Sequence, residues 1–266
     1  MMGAAMHRRL AAALLVATAL VATLSVVTPD PSARAEPADL GCRQSMAVLA
    51  DLRDGLTFPP YFSTENPAKR GGEFDPNEYF EAFPALSMRS GYTLDWVYRQ
   101  DGIGGYPILY ARQLDQRPYA DESDYRAAGE HPGYLQFVEV QDSPRGFFEY
   151  AVLAMTASQF YQDWHAHYND WQVVCDGPGI DEVIAGLTTG GMPAQPMTAE
   201  QQRAARAIAE PAPSVTFGER TATVSMLVFT KWGGFYRRTL TIDRTSHSIL
   251  DEQDRPLVDY DCGITF

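Results

Sequence analysis

Apolar residues recur at helical spacing in some parts of this chain and at strand spacing in others, and the switches between the two periods mark out its elements. In residues 43–55, Met46, Leu49 and Leu52 fall three apart with Val48 beside them, which predicts a helix that Gly55 stops. Residues 57–77 are rich in Pro, Gly and Asn and read as loop. Asp75 and Pro76 form an N-cap and first-turn pair ahead of Tyr79, Phe80 and Phe83, a short helix. The period then drops to two. Tyr92, Leu94, Trp96 and Tyr98 alternate with polar residues, Gly102, Gly104 and Gly105 interrupt, and Tyr106, Ile108 and Tyr110 resume, which predicts a β-hairpin. Residues 114–133 form an acidic, tyrosine-bearing loop, and Tyr134 to Val140 reads as another strand.

From Ser143-Pro144 onward the steps return to three and four. Phe147, Tyr150, Leu153, Ala157, Phe160, Trp164, Tyr168 and Trp171 predict one long amphipathic helix over 144–171. Val173 to Cys175 is a short extended piece and Asp181 to Leu187 a short helix. Residues 188–197 form a Gly/Pro-rich internal linker, and Thr198 with Gln201 makes a capping box that opens a further helix. In the C-terminal part Ala222, Val224, Met226 and Val228 alternate with Thr and Ser, and Lys231 to Gly234 turns the chain. Tyr236, Leu240 and Ile242 then lie opposite Arg237, Thr239 and Thr241. A short strand through Ile249 and Leu250 and a last inward row of Val258, Tyr260, Cys262 and Ile264 complete an antiparallel meander with one buried face. The predicted fold is α+β: an antiparallel β-sheet of meanders and hairpins packed against the long amphipathic helix and several shorter helices, as a single domain over 36–266.

Three features of composition change this picture. His7, Arg8 and Arg9 precede an apolar run from Leu10 to Val27, and Ala33-Arg34-Ala35 offers a cleavage site, so residues 1–35 read as a signal peptide. An uncleaved anchor is the alternative, disfavoured by the many Ala and Thr in the run. The protein is therefore expected to be secreted or extracytoplasmic, with no stable membrane span after signal cleavage. The net charge of −13, from 34 acidic against 21 basic residues, repels nucleic acid and anionic membrane, so neither is an expected partner. In an oxidising compartment two of the three cysteines, Cys42, Cys175 and Cys262, should pair. Cys262 points inward toward the covering helix and Cys175 follows that helix, which favours Cys175–Cys262.

The densest candidate chemistry is Gln162 to Trp171, QDWHAHYNDW. On a helix His165 and His167 lie too far apart around the axis to share a metal, so no metal site is expected there. Asp163, His167 and Asp170 instead share one flank, where carboxylates would raise the histidine's pKa and fit it for acid or base work. Ordinary ion pairs on a solvated flank give the same pattern. Trp232 at a hairpin tip, with Phe235 and Tyr236, is a candidate ligand surface, since exposed rings stack on sugars or seat a protein. No motif for a hydrolase elbow, a zinc protease, a phosphate loop or a dinucleotide fold is present, and no cofactor is implied. These readings describe a non-catalytic extracytoplasmic binding or interaction protein that takes a glycan or protein through aromatic loops. The alternative is a hydrolase-type enzyme using His167 with Asp163 or Asp170.

Overall fold

A computed structural model describes residues 40–102, 104–164, 166, 171–189 and 194–263. The predicted signal peptide lies outside the described residues. Helices and antiparallel strands are mixed along the described chain, as the two hydrophobic periods predict. Among the described residues no helix is long and apolar enough to cross a membrane.

The meander forms from β8 (Thr221–Thr230), β9 (Gly234–Asp243) and β10 (Ile249–Asp259). Two shorter strands, β6 (Gln172–Val174) and β7 (Ser214–Phe217), share the far edge of β8. Both faces of this sheet are covered, not one. Ala222, Val224, Met226 and Val228 of β8 join Leu240 and Ile242 in the larger core. Leu227, Phe229, Phe235 and Val258 form a second core with Ile180, Ile184 and Leu187 of α5 (Gly177–Thr189) and Ala205 of α6 (Ala199–Arg206). Helix α5 thus extends into the predicted linker, and α6 opens with the expected capping box at Thr198 and Gln201. The last strand is one piece rather than two. It carries shifts of register near Asp251 and Val258, and Pro256 sits within it. Arg238 pairs with Asp254 and Glu252 there. Bulges, proline and charge are what keep an exposed sheet edge from pairing with another chain.

The larger core surrounds α4 (Pro144–Thr156). Ser143 caps it by accepting from the Gly146 N–H at 3.1 Å, with Pro144 in the first turn. Phe147, Phe148, Tyr150, Ala151, Val152 and Leu153 are all buried, so the helix is enclosed and not laid on a surface. Glu149 is buried too. Its carboxylate accepts from Arg145 Nε at 2.6 Å and from the Ala85 N–H at 2.8 Å, tying α4 to the start of β1 (Leu86–Met88). Strand β1 pairs with β4 (Val138–Val140), which is all of the expected Tyr134 to Val140 strand that extends; Tyr134–Phe137 is a 3₁₀ turn.

Two further expectations are corrected. The predicted helix over 144–171 ends at Thr156. Thr156 Oγ1 turns back to the Val152 carbonyl and the Gln159 N–H closes onto the Thr156 carbonyl, completing the last turn. Tyr161 and Trp164 then adopt φ of 47° and 42°, which no right-handed helix contains. Asp163–Trp164 is β5, paired to Gly104 and Gly105 of the first hairpin, β2 (Tyr92–Gln100) and β3 (Gly104–Gln113). Phe160 is buried against Phe74 and Trp96, so its spacing reflects packing on distant rings and not a helix face. The disulfide is the second correction. Cys175 is bonded to Cys42, in the first turn of α1 (Cys42–Arg53), with their Cα atoms 5.7 Å apart. Cys262 is free and buried in the second core, on the sheet face away from α4.

Candidate functional site

Only some of the predicted site residues lie among the described ones. His167 and Asp170 lie outside the described residues. Asp163 is half-buried in β5, where Gln100 Nε2 approaches its carboxylate at 3.5 Å, so it stands on a strand and not on the predicted helix. Of the aromatic trio, Phe235 is fully buried against Phe229 in the second core. Trp232 is half-buried on that same core, whereas Tyr236 turns to the opposite face of the sheet and meets Trp171 edge-on at 5.9 Å. Adjacent strand residues point to opposite faces, so Phe235 and Tyr236 cannot form one surface. The tryptophan that faces solvent is Trp164, 66% exposed.

The richest chemistry gathers where the loop of residues 69–77 crosses β2. Asp75 caps a short 3₁₀ turn (Pro76–Glu78) by accepting from the Asn77 N–H at 2.9 Å. Asn77 then reads the edge of β2 as a strand would. Its Oδ1 accepts from the Leu94 N–H and its Nδ2 donates to the Leu94 carbonyl, both at 2.9 Å. Trp96 Nε1 donates to the Phe74 carbonyl at 3.0 Å. Glu73 closes the preceding turn, accepting from the N–H groups of Arg70 and Gly71 and from the Tyr61 hydroxyl.

This loop delivers Lys69 to Asp95, which is only 7% exposed. One carboxylate oxygen accepts from the Lys69 ammonium and from the Trp96 N–H at 2.8 Å, and the other accepts from Arg112 Nε at 2.7 Å. The ammonium also lies 4.9 Å from the centre of a Trp96 ring. Burial pushes the Asp95 carboxyl up, but Lys69 and Arg112 outweigh it and hold the group below the usual carboxylate range. Glu73 is held low in the same way: burial opposes, and the Tyr61 hydroxyl and backbone N–H groups prevail. Burial and the bond to Glu73 in turn push Tyr61 up to about 12.

Above Asp95 is a cleft of about 520 Å³, within the range of small-ligand sites. Its walls include Lys69, Asp75, Asp95, Arg112 and Tyr119. Tyr119 is fixed by ring contacts to Tyr110, Tyr125 and His131. Several hydrogen-bonding groups lining the cleft are unused among the described residues: Arg112 Nη2, two hydrogens of the Lys69 ammonium, and Asp75 Oδ2. A larger groove, of about 700 Å³, runs between α1 and α5. Its walls are mostly apolar, and Arg43 at its rim is already paired with Asp176 and Glu182.

Sequence reasoning missed this cleft because Asp95 stands at a polar position in an alternating strand, which reads as outward. The one available signal was Lys69, one of only two lysines in the chain. Among the described residues no group of His, Cys, Asp and Glu could hold a metal ion. In comparison with known proteins, the chain matches no family model, no curated protein and no solved structure.

Proposed function

We propose that this chain is an exported, non-catalytic binding protein whose Asp95 cleft holds an uncharged, hydroxyl-rich ligand, a saccharide. One observation carries the reading. Lys69 and Arg112, which keep unused donors, line the same cleft as Asp75, which keeps an unused acceptor, and as Tyr119. A sugar hydroxyl donates and accepts at once, so it matches donors and acceptors set together. The charges lining the cleft nearly balance, Lys69 and Arg112 against Glu73, Asp75 and Asp95, with Arg70 stacked on Tyr61 behind Glu73. An uncharged ligand suits that balance better than an ion.

The electrostatics favour binding over hydrolysis. A glycosidase needs a carboxylic acid whose pKa is raised enough to protonate a leaving group. Asp95 and Glu73 are both lowered. Placement outside the cytoplasm agrees with the Cys42–Cys175 disulfide and the basic and apolar N-terminal pattern.

The test is a glycan array probed with the mature protein and with Ala120→Trp. Ala120 is exposed and lines the cleft, so the substitution fills it without removing a side-chain bond. The wild type should bind a restricted set of saccharides and the variant should lose them at an unchanged melting temperature. Indiscriminate binding, no binding, or binding that survives the tryptophan would reject the proposal.

A further inference from the structure

A separate pocket of about 280 Å³ lies where α1 and α4 end, lined by Arg53, Leu56, Phe58, Gln159, Phe160, Tyr161 and Gln162. Arg53 is the only charged residue among these, and its charge is not matched. Among the described residues no carboxylate lies within ion-pair distance of it. Its Nη2 donates to the Thr156 carbonyl at 2.5 Å, which caps the end of α4. Its Nε is buried with no acceptor. The guanidinium lies over the ring of Tyr79, 5.6 Å from the centroid, and approaches the Tyr79 hydroxyl, which is buried with no well-aligned hydrogen bond.

The remaining contact, from Nη1 to Gln159 Oε1 at 3.3 Å, depends on how the Gln159 amide is turned. With its oxygen and nitrogen exchanged, that amide accepts from the Trp171 N–H at 2.5 Å and donates to the Trp171 carbonyl at 3.1 Å. The second orientation satisfies two backbone groups in place of one long bond, so it is the better one. It also presents an NH₂ group to Arg53, leaving Nη1 without an acceptor. The pocket is mixed, with Gln159, Tyr161 and Gln162 on its polar side and Leu56, Phe58 and Phe160 on its apolar side, and a half-buried cation whose Nη1 lacks an acceptor there is stabilised by an anion that shares the site.

We propose that this pocket binds a small carboxylate carried on an apolar or aromatic body. The carboxylate accepts from Arg53, and the body lies against Leu56, Phe58 and Phe160. The Gln159 amide stays turned toward Trp171, so ligand and glutamine do not compete for the same hydrogens. The pocket is distinct from the Asp95 cleft, and its occupancy does not depend on the saccharide reading.

Benzoate is the probe, with benzamide as its uncharged match and acetyl-Gly-Gly-Phe, with a free C-terminus, as the peptide-borne form. Titration calorimetry on the mature wild type should show saturable benzoate binding, with benzamide weaker by about tenfold or more, the loss expected for a hydrogen bond to a charged group. Arg53→Met should abolish binding. Because that change also uncaps α4, Leu56→Trp, which fills the pocket and leaves Arg53 in place, should abolish it too. Tighter binding of the peptide than of benzoate would assign the carboxylate to a chain terminus, and the reverse would assign it to a free acid. Absence of saturable binding by both carboxylates, equal binding of benzoate and benzamide, or binding that persists in Leu56→Trp would overturn the proposal.

Discussion

Arg112 Nε sits 2.7 Å from Asp95 Oδ2, and that contact joins β3 to β2 beneath the candidate cleft. Asp95 is the anchor because it also holds Lys69, bringing in the loop of residues 69–77. Removing it leaves two cations facing each other with little water. Asp95→Ala is therefore expected to destabilise by about 3–5 kcal/mol, the range for breaking a buried ion pair from one side. Lys69→Met should cost less, since Arg112 remains and the aliphatic stem still covers Trp96. Urea denaturation of the three proteins measures both. A loss near zero for Asp95→Ala would mean that the carboxylate is solvated and that the cleft floor is not rigid.

The disulfide yields a second prediction. Cys42 and Cys175 are 133 residues apart, so their bond removes much of the unfolded chain's freedom. Cys175→Ala should lower stability by roughly 4–5 kcal/mol on the chain-entropy estimate. Cys262→Ser should leave the bond intact. It places a hydroxyl in the second core and should cost about 1–3 kcal/mol unless that hydroxyl finds a partner. Peptide mapping without reduction decides the pairing: a fragment joining Cys175 to Cys262 would refute it.

These two features also show where sequence reasoning stops. The caps at Ser143 and Thr198, the glycine turn between β2 and β3, and the alternation of Ala222 to Val228 were legible because each is set by neighbours within a few residues. The end of α4 was not. Ala157, Ser158 and Gln159 contain no glycine or proline, and Phe160 and Trp164 happen to continue the helical spacing. What stops the helix is Phe160 packing on Trp96 and β5 pairing with Gly104 and Gly105, both distant in sequence. Asp95 was hidden for the same reason. Its partners lie 26 residues before and 17 after, and no local pattern announces a polar residue that turns inward to meet them.

Two buried carboxylates should respond to pH in opposite directions. Glu149 is raised above its ordinary value of 4.5, chiefly by burial, with Arg145 opposing. Its folded form holds the proton more tightly than the unfolded chain, so the stability it contributes falls as pH climbs from 4.5 toward the folded value. Asp95 is lowered, so its contribution is full above the unfolded value and is lost as pH falls through the folded one. In Glu149→Gln the first dependence vanishes. The stability of the variant minus that of the wild type should therefore rise as pH increases above 4.5. Chemical denaturation across acidic to neutral buffers reads this slope, which is independent of any constant cost of leaving Arg145 unpaired. A difference that is flat above 4.5 and falls as pH rises toward 4.5 from below would make Glu149 an ordinary ion-paired carboxylate.

Two helical glycines give the last prediction, with opposite signs. A Cβ on Gly146, in the first turn of α4, would run into the carbonyl oxygen of Gln141, which is backbone and cannot rotate away. That approach lets the strand-to-helix connection fold tightly enough for Ser143 to cap Gly146. Gly186 stands within α5 and a Cβ there meets nothing within 4 Å. Alanine at that position gains helix propensity and restricts the unfolded chain, for about 0.5–1 kcal/mol of added stability. Gly146→Ala should instead lose about 1–3 kcal/mol, the usual cost of overpacking. Thermal melts of the two single variants distinguish these outcomes. Equal shifts would show that helix propensity alone governs both sites and that α4 can move away from Gln141 without strain.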